Sequence, residues 1–599
     1  MPARSRSRSA PGVGRQPAPT RRARADVPRL RVLWLVVIAV FLASTIWMRL
    51  AYWQVVQHGY LREVADTLHV ADVTLPATRG VISDSQGRAL AVNVTVYDVS
   101  LSPPQHMSEA DKEKVANGLA AALGEQPEEI MQTLNSGAKF SYVAKRIPKD
   151  KADQIQSEHL TGVTVQGIPQ RTYLPGATPN STLASGLLGF VNYAGQGQSG
   201  VEGYYNQLLG GRDGHQSLYR DPAGNVIPAT TQLRQDPVQG RNLQLTLDSD
   251  AQYVAEQALA AGVQANHAQG GSVLIMDTKT GGIAGWASYP TYDANQFAQL
   301  SASQLRDPMA EDLYEPGSVM KVVTLSGAMD AGAITPDTTI QDPGYVDVEG
   351  SRIRDWDDAA HGTVTMTKVL EDSLNVGAVK AQQAEGRTNY EHYLKAFGFG
   401  QPSNVGVAAE ASQPLPQNPS DVTLATNSFG QGIATNMVQM TAAVNAIANG
   451  GVYVQPHVAQ KVGDKQVVPQ QRRVIKADTA EKMKTMMRQV VQHGSGWKAR
   501  LSGFELDEAG KTGSSQIPQN GTYSQWYWAS YVGFLPAENP RYTMMVMLRK
   551  PNNGSMDANE GYATAAPIWK NISQQLILQD RITPENLPAL PGSTTQSTG

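Results

Sequence analysis

The longest uninterrupted apolar run of the chain lies near its N-terminus. Val32 to Met48 holds 17 residues without a charge, with Arg31 and Arg49 at its two ends and a tryptophan near each end. At a rise of about 1.5 Å per residue such a helix is about 26 Å long, slightly under the thickness of a bilayer core, and long arginine side chains can make up the difference. A cleaved signal peptide has a shorter apolar run and a small-residue cleavage site, and no convincing site follows here. The pattern therefore predicts an uncleaved transmembrane helix over residues 32–49.

Shorter strands and helices follow between residues 50 and 237. Leu50 to Leu75 favours a juxtamembrane helix and then a strand, and Arg79 to Arg88 favours a strand that enters a turn. The next periodic segments predict a strand at 95–101 and helices at 109–135 and 150–159. The charged residues of two later glycine- and arginine-bearing stretches, Arg171 to Pro175 and Gly200 to Gly214, are interpreted as structural salt links.

The residues from 238 onward predict a larger unit that mixes helix and strand. Leu243 to Leu247 alternates as a strand does, and Asp248 is a capping residue for a helix that reaches about Gln264. Further strands are expected at 271–276, 283–287, 511–516, 528–535 and 543–548, and a closing helix at 563–578. The tail from 581, rich in Pro, Ser and Thr, is expected to be disordered.

The distribution of charge sets the predicted orientation of the membrane helix. The formal net charge is −3, but residues 1–31 contain nine arginines and one aspartate. Because positive residues beside a membrane helix stay in the cytoplasm, we expect a disordered basic tail inside the cell and everything after residue 50 outside the cytoplasmic membrane. The basic charge is confined to the tail and does not form a nucleic-acid-binding face on the folded part. The chain has no cysteine, which excludes disulfides and thiolate metal sites.

A candidate nucleophile precedes another apolar run. Pro316-Gly317 forms a turn before Val319 to Met329, which favours a helix, so Ser318 falls in its first turn and Lys321 one turn later. Positions three apart share a helix face, which places a hydroxyl and an amine side by side at the positive end of the helix dipole. Such a serine is typical of an activated nucleophile. Lys321 can act as a base only when neutral, which requires burial or a second nearby cation to lower its pKa from the usual value of about 10.4.

Two other Ser-x-x-Lys matches occur in the chain. These are Ser136 with Lys139 and Ser495 with Lys498, and we interpret both as chance pairs on solvated surface. They lack the preceding turn, the apolar helix and the two downstream motifs that accompany Ser318.

The second motif is Ser373-Leu374-Asn375, within a segment over 367–381 that we expect to be helical and apolar on one face. A hydroxyl and an amide two residues apart can both reach into one cleft, where they relay a proton and hold a peptide carbonyl.

The third motif, Lys511-Thr512-Gly513-Ser514, opens a predicted strand, and its glycine lets a bound chain approach the backbone closely. A second Lys-Thr-Gly, at 279–281, lies between two predicted strands and is interpreted as a turn without a catalytic part. Three motifs in this order are much more specific than any one of them.

In this order the motifs resemble those of the serine penicillin-recognising enzymes, and within them the class B penicillin-binding proteins. The resemblance extends over residues 50–580. Arg79 to Gly87 is similar to the family's N-terminal signature, and Phe429 to Gly432 resembles its glycine stretch between the second and third motifs.

Two other segments are most similar to the septal, cell-division branch of that family. They are Arg49 to Val56 beside the membrane and Tyr219 to Gly224. Ser514 stands where this branch more often has threonine, a change that keeps the hydroxyl.

The resemblance implies an α+β or α/β fold. It comprises a penicillin-binding transpeptidase domain, with a central antiparallel sheet flanked by helices, on an elongated N-terminal pedestal domain, with one transmembrane helix. The expected divisions are a basic cytoplasmic tail at 1–31, the membrane helix at 32–49, the pedestal at 50–237, the transpeptidase domain at 238–580 and a disordered tail at 581–599.

The activity implied by the resemblance is that of a peptidoglycan D,D-transpeptidase without metal or cofactor. Ser318 would attack the carbonyl between the two terminal D-alanines of a stem peptide, and an amine of a neighbouring stem would resolve the acyl-enzyme. Lys321 would deprotonate Ser318, while Ser373 and Lys511 would pass the proton to the leaving amine. Beta-lactams would acylate the same serine.

Substrate contacts are implied for the remaining motif residues. Asn375 would hold the acylated peptide, and Thr512, Gly513 and Ser514 would line the site of the terminal carboxylate. Backbone N–H groups of Ser318 and Ser514 would form the oxyanion hole.

The resemblance also implies a polytopic glycan polymerase and other division proteins as partners in the bacterial cytoplasmic membrane. The sequence leaves alternatives to a septal transpeptidase open: an elongation-type transpeptidase, a beta-lactamase or beta-lactam sensor, and a non-catalytic scaffold. A lactamase rarely carries so long a pedestal, and a scaffold would not be expected to keep every motif residue.

Overall fold

The structure of the protein is a computed structural model that describes residues 29–62, 70–104, 106–219, 232–504, 506–579 and 581–582. Most of the predicted disordered tails and most of the Tyr219 to Gly224 segment lie outside the described residues. The tail bounds are wrong at their described ends, because residues 29–31 begin the first helix and Ile582 is buried in a hydrophobic core. Two compact units are present. One comprises the described residues up to 75 and within 215–236, and the other comprises the described residues of 76–214 and from 237 onward.

The elements of the N-terminal half alternate between strands and helices. The strands are β1 (Val70–Leu75), β2 (Ile82–Ser83), β3 (Ala89–Leu101), β4 (Ser141–Ile147), β5 (Val163–Tyr173), β6 (Gly214–Tyr219), β7 (Gln232–Gln235) and β8 (Leu243–Leu245). The helices are α1 (Arg29–Ala51), α2 (Glu109–Leu123), α3 (Pro127–Asn135), α4 (Lys149–Ser157), α5 (Ser185–Leu188), α6 (Gly200–Tyr204) and α7 (Asn206–Gly210).

The C-terminal half contains the longer helices and a second large sheet. Its strands are β9 (Gly270–Asp277), β10 (Ile283–Tyr289), β11 (Thr339–Asp342), β12 (Tyr345–Val348), β13 (Ser351–Arg354), β14 (Gly362–Thr365), β15 (Val452–Val454), β16 (Ala459–Val462), β17 (Lys465–Gln466), β18 (Gln471–Arg473), β19 (Ala509–Gln519), β20 (Thr522–Leu535) and β21 (Tyr542–Arg549). Its helices are α8 (Ser249–Ala265), α9 (Pro308–Glu311), α10 (Met320–Asp330), α11 (Met366–Glu371), α12 (Asn375–Glu385), α13 (Arg387–Ala396), α14 (Asp421–Asn427), α15 (Met437–Ala448), α16 (Ala477–Gln492), α17 (Met556–Asn559) and α18 (Ala565–Leu578).

The first unit contains the predicted membrane helix and a small sheet. Residues 31–56, which are α1 and a π-helical turn, are the one described helix long and apolar enough to cross a membrane. Its apolar side chains are exposed all along the helix, an arrangement that lipid satisfies and water does not. A helix over residues 32–49 is therefore confirmed, while its span across a membrane stays a prediction. Strands β1, β6 and β7 form a three-stranded sheet in that order.

The larger unit is built on two sheets. The first has seven strands, in the order β17-β16-β8-β2-β3-β4, with β5 paired along the length of β3. The helix expected over 109–135 is two helices, because Gly124 adopts a left-handed conformation (φ +80°) after α2 and Pro127 begins α3.

The second sheet contains the predicted C-terminal strands. It is antiparallel, in the order β10-β9-β21-β20-β19. Alternate residues of these strands contribute to two different cores, as the two-residue period of a strand requires. Helices α8 and α18 pack on one face, while α10, α15 and α16 belong to the core on the other.

The core on the α10 face continues into the pedestal. Leu90 of β3 and Leu187 of α5 belong to the same buried cluster as Val322 of α10 and Phe534 of β20. The pedestal strands and the C-terminal sheet therefore share one hydrophobic core within this unit.

A buried ionic cluster confirms the structural role expected for Arg171 and Glu202. Arg79 Nε donates to Glu202 Oε2 at 2.7 Å, and Arg171 Nε donates to Glu202 Oε1 at 2.6 Å. All three side chains are nearly inaccessible to solvent. The two guanidinium groups also donate to the backbone carbonyls of Gly195, Glu202 and Gly80.

Candidate active site

The nucleophile candidate lies in a tight turn that leads directly into α10. Residues Gly317–Val319 form a 3₁₀ turn, and the half-buried Ser318 is at its centre. Lys321, in the first turn of α10, has its Nζ atom 3.0 Å from Ser318 Oγ. The predicted pairing of hydroxyl and amine is therefore present, although Ser318 precedes the α-helix instead of belonging to it.

Ser373 does not lie inside a helix, and the helix expected over 367–381 is wrong in this respect. Helix α11 ends at Glu371, α12 begins at Asn375, and Ser373 between them has a left-handed backbone with φ +61°. This conformation is unfavourable for a residue with a Cβ atom and is found where the surroundings fix it. The break turns both the carbonyl and the hydroxyl of Ser373 towards Lys321.

Lys321 is surrounded by oxygen atoms, and among the described residues no carboxylate is bonded to it. Its Nζ lies 2.5 Å from the Ser373 carbonyl oxygen, 3.3 Å from Ser373 Oγ and 2.8 Å from Asn375 Oδ1, in addition to Ser318 Oγ. Burial and the positive charge of Lys511 hold the pKa of Lys321 well below its usual value, while Asp355 opposes the shift. A neutral amine has two hydrogens and one lone pair. Donation to Ser373 O and Asn375 Oδ1 would leave the lone pair to accept the Ser318 hydroxyl proton.

Lys511 reaches the same point from the third motif. Its Nζ lies 2.9 Å from Ser373 Oγ, so that this hydroxyl stands between the two lysines. The amine also donates to Thr512 O at 3.0 Å and lies 3.3 Å from Thr512 Oγ1. Burial lowers the pKa of Lys511 to about 7, and the charge of Glu560 opposes this shift. Ser318, Lys321, Ser373 and Lys511 thus form a continuous chain of hydrogen-bonding groups.

Strand β19 brings Gly513 and Ser514 against the nucleophile turn. A Cβ atom on Gly513 would lie 2.8 Å from Val319 Cγ2 and 3.1 Å from the Pro316 carbonyl, so only glycine fits this approach. Ser514 is half-buried, and its Oγ accepts a hydrogen bond from the Gly561 backbone N–H at 3.1 Å. The hydroxyl proton of Ser514 remains available to a ligand.

The glycine stretch singled out in the sequence packs behind Ser318. Gly430, with φ +85°, accepts a hydrogen bond from Gly317 N, and a Cβ atom there would lie 2.2 Å from the Gly317 carbonyl. Glu315 links this segment to β20, because its carboxylate accepts from Gly432 N at 2.9 Å and from Tyr523 Oη at 3.0 Å.

Three further residues of the site were not predicted from the sequence. Asp355 accepts from the N–H groups of Asn375 and Val376 at the start of α12, and Glu315 connects segments far apart in the chain. Ser495 accepts a hydrogen bond from Thr512 Oγ1 at 3.1 Å. The interpretation of Ser495 as a chance surface residue is therefore wrong, whereas Ser136 and Lys139 are exposed as expected.

The second Lys-Thr-Gly is a turn, as predicted. Lys279 and Thr280 donate their backbone N–H groups to Asp277, and Gly281 has φ +74° between β9 and β10. Within the described part of the chain, no group of three or more His, Asp or Glu side chains is placed to hold a metal ion.

Comparison with known proteins gives consistent matches. A family model described as the penicillin binding protein transpeptidase domain matches residues 271–574, and a model described as the penicillin-binding protein dimerisation domain matches residues 74–245. The first match includes every residue of the three motifs.

Several curated proteins are similar over most of this chain. The penicillin-binding protein PbpB of Mycolicibacterium smegmatis is 30% identical over 88% of this chain and 86% of its own length. The stage V sporulation protein D of Bacillus subtilis is 29% identical over 93% and 86%, and the peptidoglycan D,D-transpeptidase FtsI of Escherichia coli is 29% identical over 90% of each chain.

Solved structures share the fold. Penicillin-binding protein 3 of Mycobacterium tuberculosis, complexed with aztreonam, gives a TM-score of 0.65 at 27% identity over 85% of this chain and 98% of that chain. Penicillin-binding protein 2X of Streptococcus thermophilus gives a TM-score of 0.73 at 25% identity over 85% and 81%. With its pedestal, its C-terminal sheet and its three converging motifs, the chain belongs to the class B penicillin-binding proteins.

Proposed function

We propose that the protein is a serine-type peptidoglycan D,D-transpeptidase in which Ser318 is the nucleophile. The observation that carries this proposal is the position of Ser318 Oγ, 3.0 Å from a fully buried lysine whose pKa is well below its usual value. A base of this kind is what a serine hydroxyl needs in order to attack an amide at neutral pH.

Acylation would proceed as follows. Lys321 Nζ takes the hydroxyl proton while Ser318 Oγ bonds to the carbonyl carbon between the two terminal D-alanines of a stem peptide. The tetrahedral intermediate then breaks its C–N bond, and the leaving nitrogen needs one proton. Ser373 Oγ, within hydrogen-bonding distance of both lysines, provides the route by which that proton reaches the leaving amine. The product is an ester at Ser318 and free D-alanine.

The remaining motif residues are proposed to hold the substrate. Thr512 and Ser514 carry hydroxyls on β19, the strand that packs against the nucleophile turn, and would bind the terminal carboxylate close to Lys511. The backbone N–H groups of Ser318 and Ser514 would stabilise the oxyanion, an interaction worth about 3 to 4 kcal/mol. Asn375 donates one amide hydrogen to the Arg354 carbonyl and has a second available for the bound peptide.

We further propose a septal role at the bacterial cytoplasmic membrane, with the N-terminus inside the cell and the transpeptidase outside. The relatives named FtsI and stage V sporulation protein D support the septal assignment. Nine arginines before the membrane helix support the orientation. A polytopic glycan polymerase would be the membrane partner. A fluorescent fusion that concentrates along the side wall instead of at midcell would contradict the septal role.

The catalytic assignment is tested by covalent labelling. Incubation with benzylpenicillin should increase the intact mass by one penicilloyl group, and peptide mapping should place that group on Ser318. The Ser318→Ala variant should remain unlabelled, while Ser136→Ala, which removes the serine of an exposed Ser-x-x-Lys pair, should label as the parent does. A label on any other residue would contradict the assignment.

A further inference from the structure

A short segment after β21 borders the strand of the third motif. Gly561 donates its backbone N–H to Ser514 Oγ at 3.1 Å. A Cβ atom on Gly561 would lie 2.5 Å from the Gly513 carbonyl oxygen and 2.2 Å from the Ser530 carbonyl oxygen. The main chain at this position is therefore fixed against β19 and β20, and the residue before it is held beside the site.

That residue is Glu560, a carboxylate without a bonded partner. It is half-buried, and among the residues that the structure describes its side chain forms no hydrogen bond and no ion pair. Burial and the negative charge of Asp557 raise the pKa of Glu560, while the positive charge of Lys511 opposes this shift. Glu560 in turn acts on Lys511. Carboxylates that lose part of their hydration are normally compensated by a hydrogen-bond donor or a directly bonded cation. Within the described part of the chain Glu560 has neither, and the charge of Lys511 acts on it only without a direct contact.

The second half-reaction, in which an amine resolves the acyl-enzyme, brings an ammonium group close to Glu560. The amine that resolves the acyl-enzyme attacks the carbonyl that the leaving amine has just left, and both amines pass through the same type of tetrahedral intermediate. The incoming nitrogen therefore occupies the position of the leaving nitrogen. Since Thr512 and Ser514 are proposed to hold the leaving D-alanine, the acceptor approaches past Ser514, where Glu560 lies.

We propose that Glu560 binds the primary ammonium group of the acceptor stem peptide and positions it for attack on the Ser318 ester. This inference rests on the proposed transpeptidase function. The ammonium first releases one proton to water. The neutral nitrogen then forms the C–N bond, the C–Oγ bond breaks, and the second proton lost by nitrogen returns to Ser318 Oγ.

The test measures how the acyl-enzyme divides between two nucleophiles. The full-length protein in detergent is acylated with an N-acyl-D-alanyl thioester, in the presence of a peptide that carries one free lysine Nε amine. The ratio of aminolysis product to hydrolysis product is determined by mass spectrometry. In Glu560→Gln this ratio should fall about tenfold, the size expected for the loss of a hydrogen bond to a charged group.

Two controls separate acceptor binding from other effects. Hydroxylamine is an uncharged nucleophile at pH 7. The ratio of its aminolysis product to the hydrolysis product should change less than twofold in Glu560→Gln. Glu125→Gln makes the same substitution at an exposed position in the pedestal and should change the lysine ratio less than twofold. An effect on acylation by the thioester is common to both nucleophiles and cancels in the ratio.

An unchanged lysine ratio in Glu560→Gln, or an equal fall for lysine and hydroxylamine, would overturn the acceptor role. Failure of the underlying function would look different, since the parent protein would then form no ester at Ser318 with either penicillin or the thioester.

Discussion

Two buried clusters of basic side chains in this protein differ in whether a carboxylate pairs with them. In the pedestal, Arg79 and Arg171 share one carboxylate, Glu202, at 2.6 to 2.7 Å. In the active site, Lys321 and Lys511 are fully buried around Ser373, and neither is hydrogen-bonded to a carboxylate of the described residues.

The difference follows from the two kinds of cation. A guanidinium group stays protonated at any physiological pH and must be paired when it is buried, whereas a buried lysine can give up its proton. The pedestal cluster therefore holds its segments together. The lysine pair instead provides a neutral amine, which can act as a base, beside the nucleophile. Buried titratable residues with shifted pKa values that lie side by side are candidates for a catalytic role. Buried charges that are bonded to an opposite charge are instead expected to have a structural role.

The largest expected effect comes from removing the base. Lys321→Met keeps the length and the apolar part of the side chain but has no nitrogen, so the rate of acylation by benzylpenicillin should fall about 10³-fold. The thermal unfolding midpoint should stay within a few degrees of the parent, because a buried amine is costly to keep. A variant that unfolds in parallel with its loss of acylation would mean that Lys321 is structural.

The next effect concerns stability instead of rate. Glu202→Gln leaves two guanidinium groups buried without a counter-charge and should lower the free energy of unfolding by about 3 to 5 kcal/mol. The folded fraction should still be acylated at Ser318. As a control, Asp153→Asn removes the carboxylate of the exposed pair with Lys149 and should change the free energy of unfolding far less. Equal losses in the two variants would remove the distinction between the clusters.

The two clusters also differ in how they respond to pH. The pKa of Lys511 is about 7 in the folded protein and about 10.4 in an unfolded chain, so between these values the unfolded state binds the additional proton. The contribution of this group to stability must then rise with pH over that window. Denaturant unfolding of the parent and of Lys511→Met at pH 7, 8 and 9 should show the parent gaining stability relative to the variant. Parallel curves would mean that Lys511 is protonated in the fold.

The smallest expected effect is at the rim of the lysine cluster. Ser495→Ala removes the acceptor of the Thr512 hydroxyl and should slow acylation about fivefold, as expected for one neutral hydrogen bond. Ser136→Ala, which removes the serine of the exposed pair, should acylate at the parent rate. A change of less than twofold in Ser495→Ala would place its hydroxyl outside the functional site.

Local sequence patterns were sufficient to predict the elements that carry the motifs. The apolar run after Ser318 gave the helix of Lys321, and alternation around residue 511 gave the strand of the third motif. The break at Ser373 was not predictable, because the apolar pattern of residues 367–381 continues through it and only tertiary contacts hold a left-handed residue there. The contacts of Glu315, Ser495 and Glu560 join segments distant in the chain, and no periodicity encodes them.

The shared hydrophobic core limits where the polypeptide can be cut. Leu90 and Leu187 are buried in the same cluster as Phe534. A recombinant fragment that starts at residue 238 would therefore expose a large hydrophobic surface to solvent. A secreted, anchor-free version for crystallisation or inhibitor screening would have to retain the whole segment from residue 76, and the shorter fragment would be expected to collect in inclusion bodies.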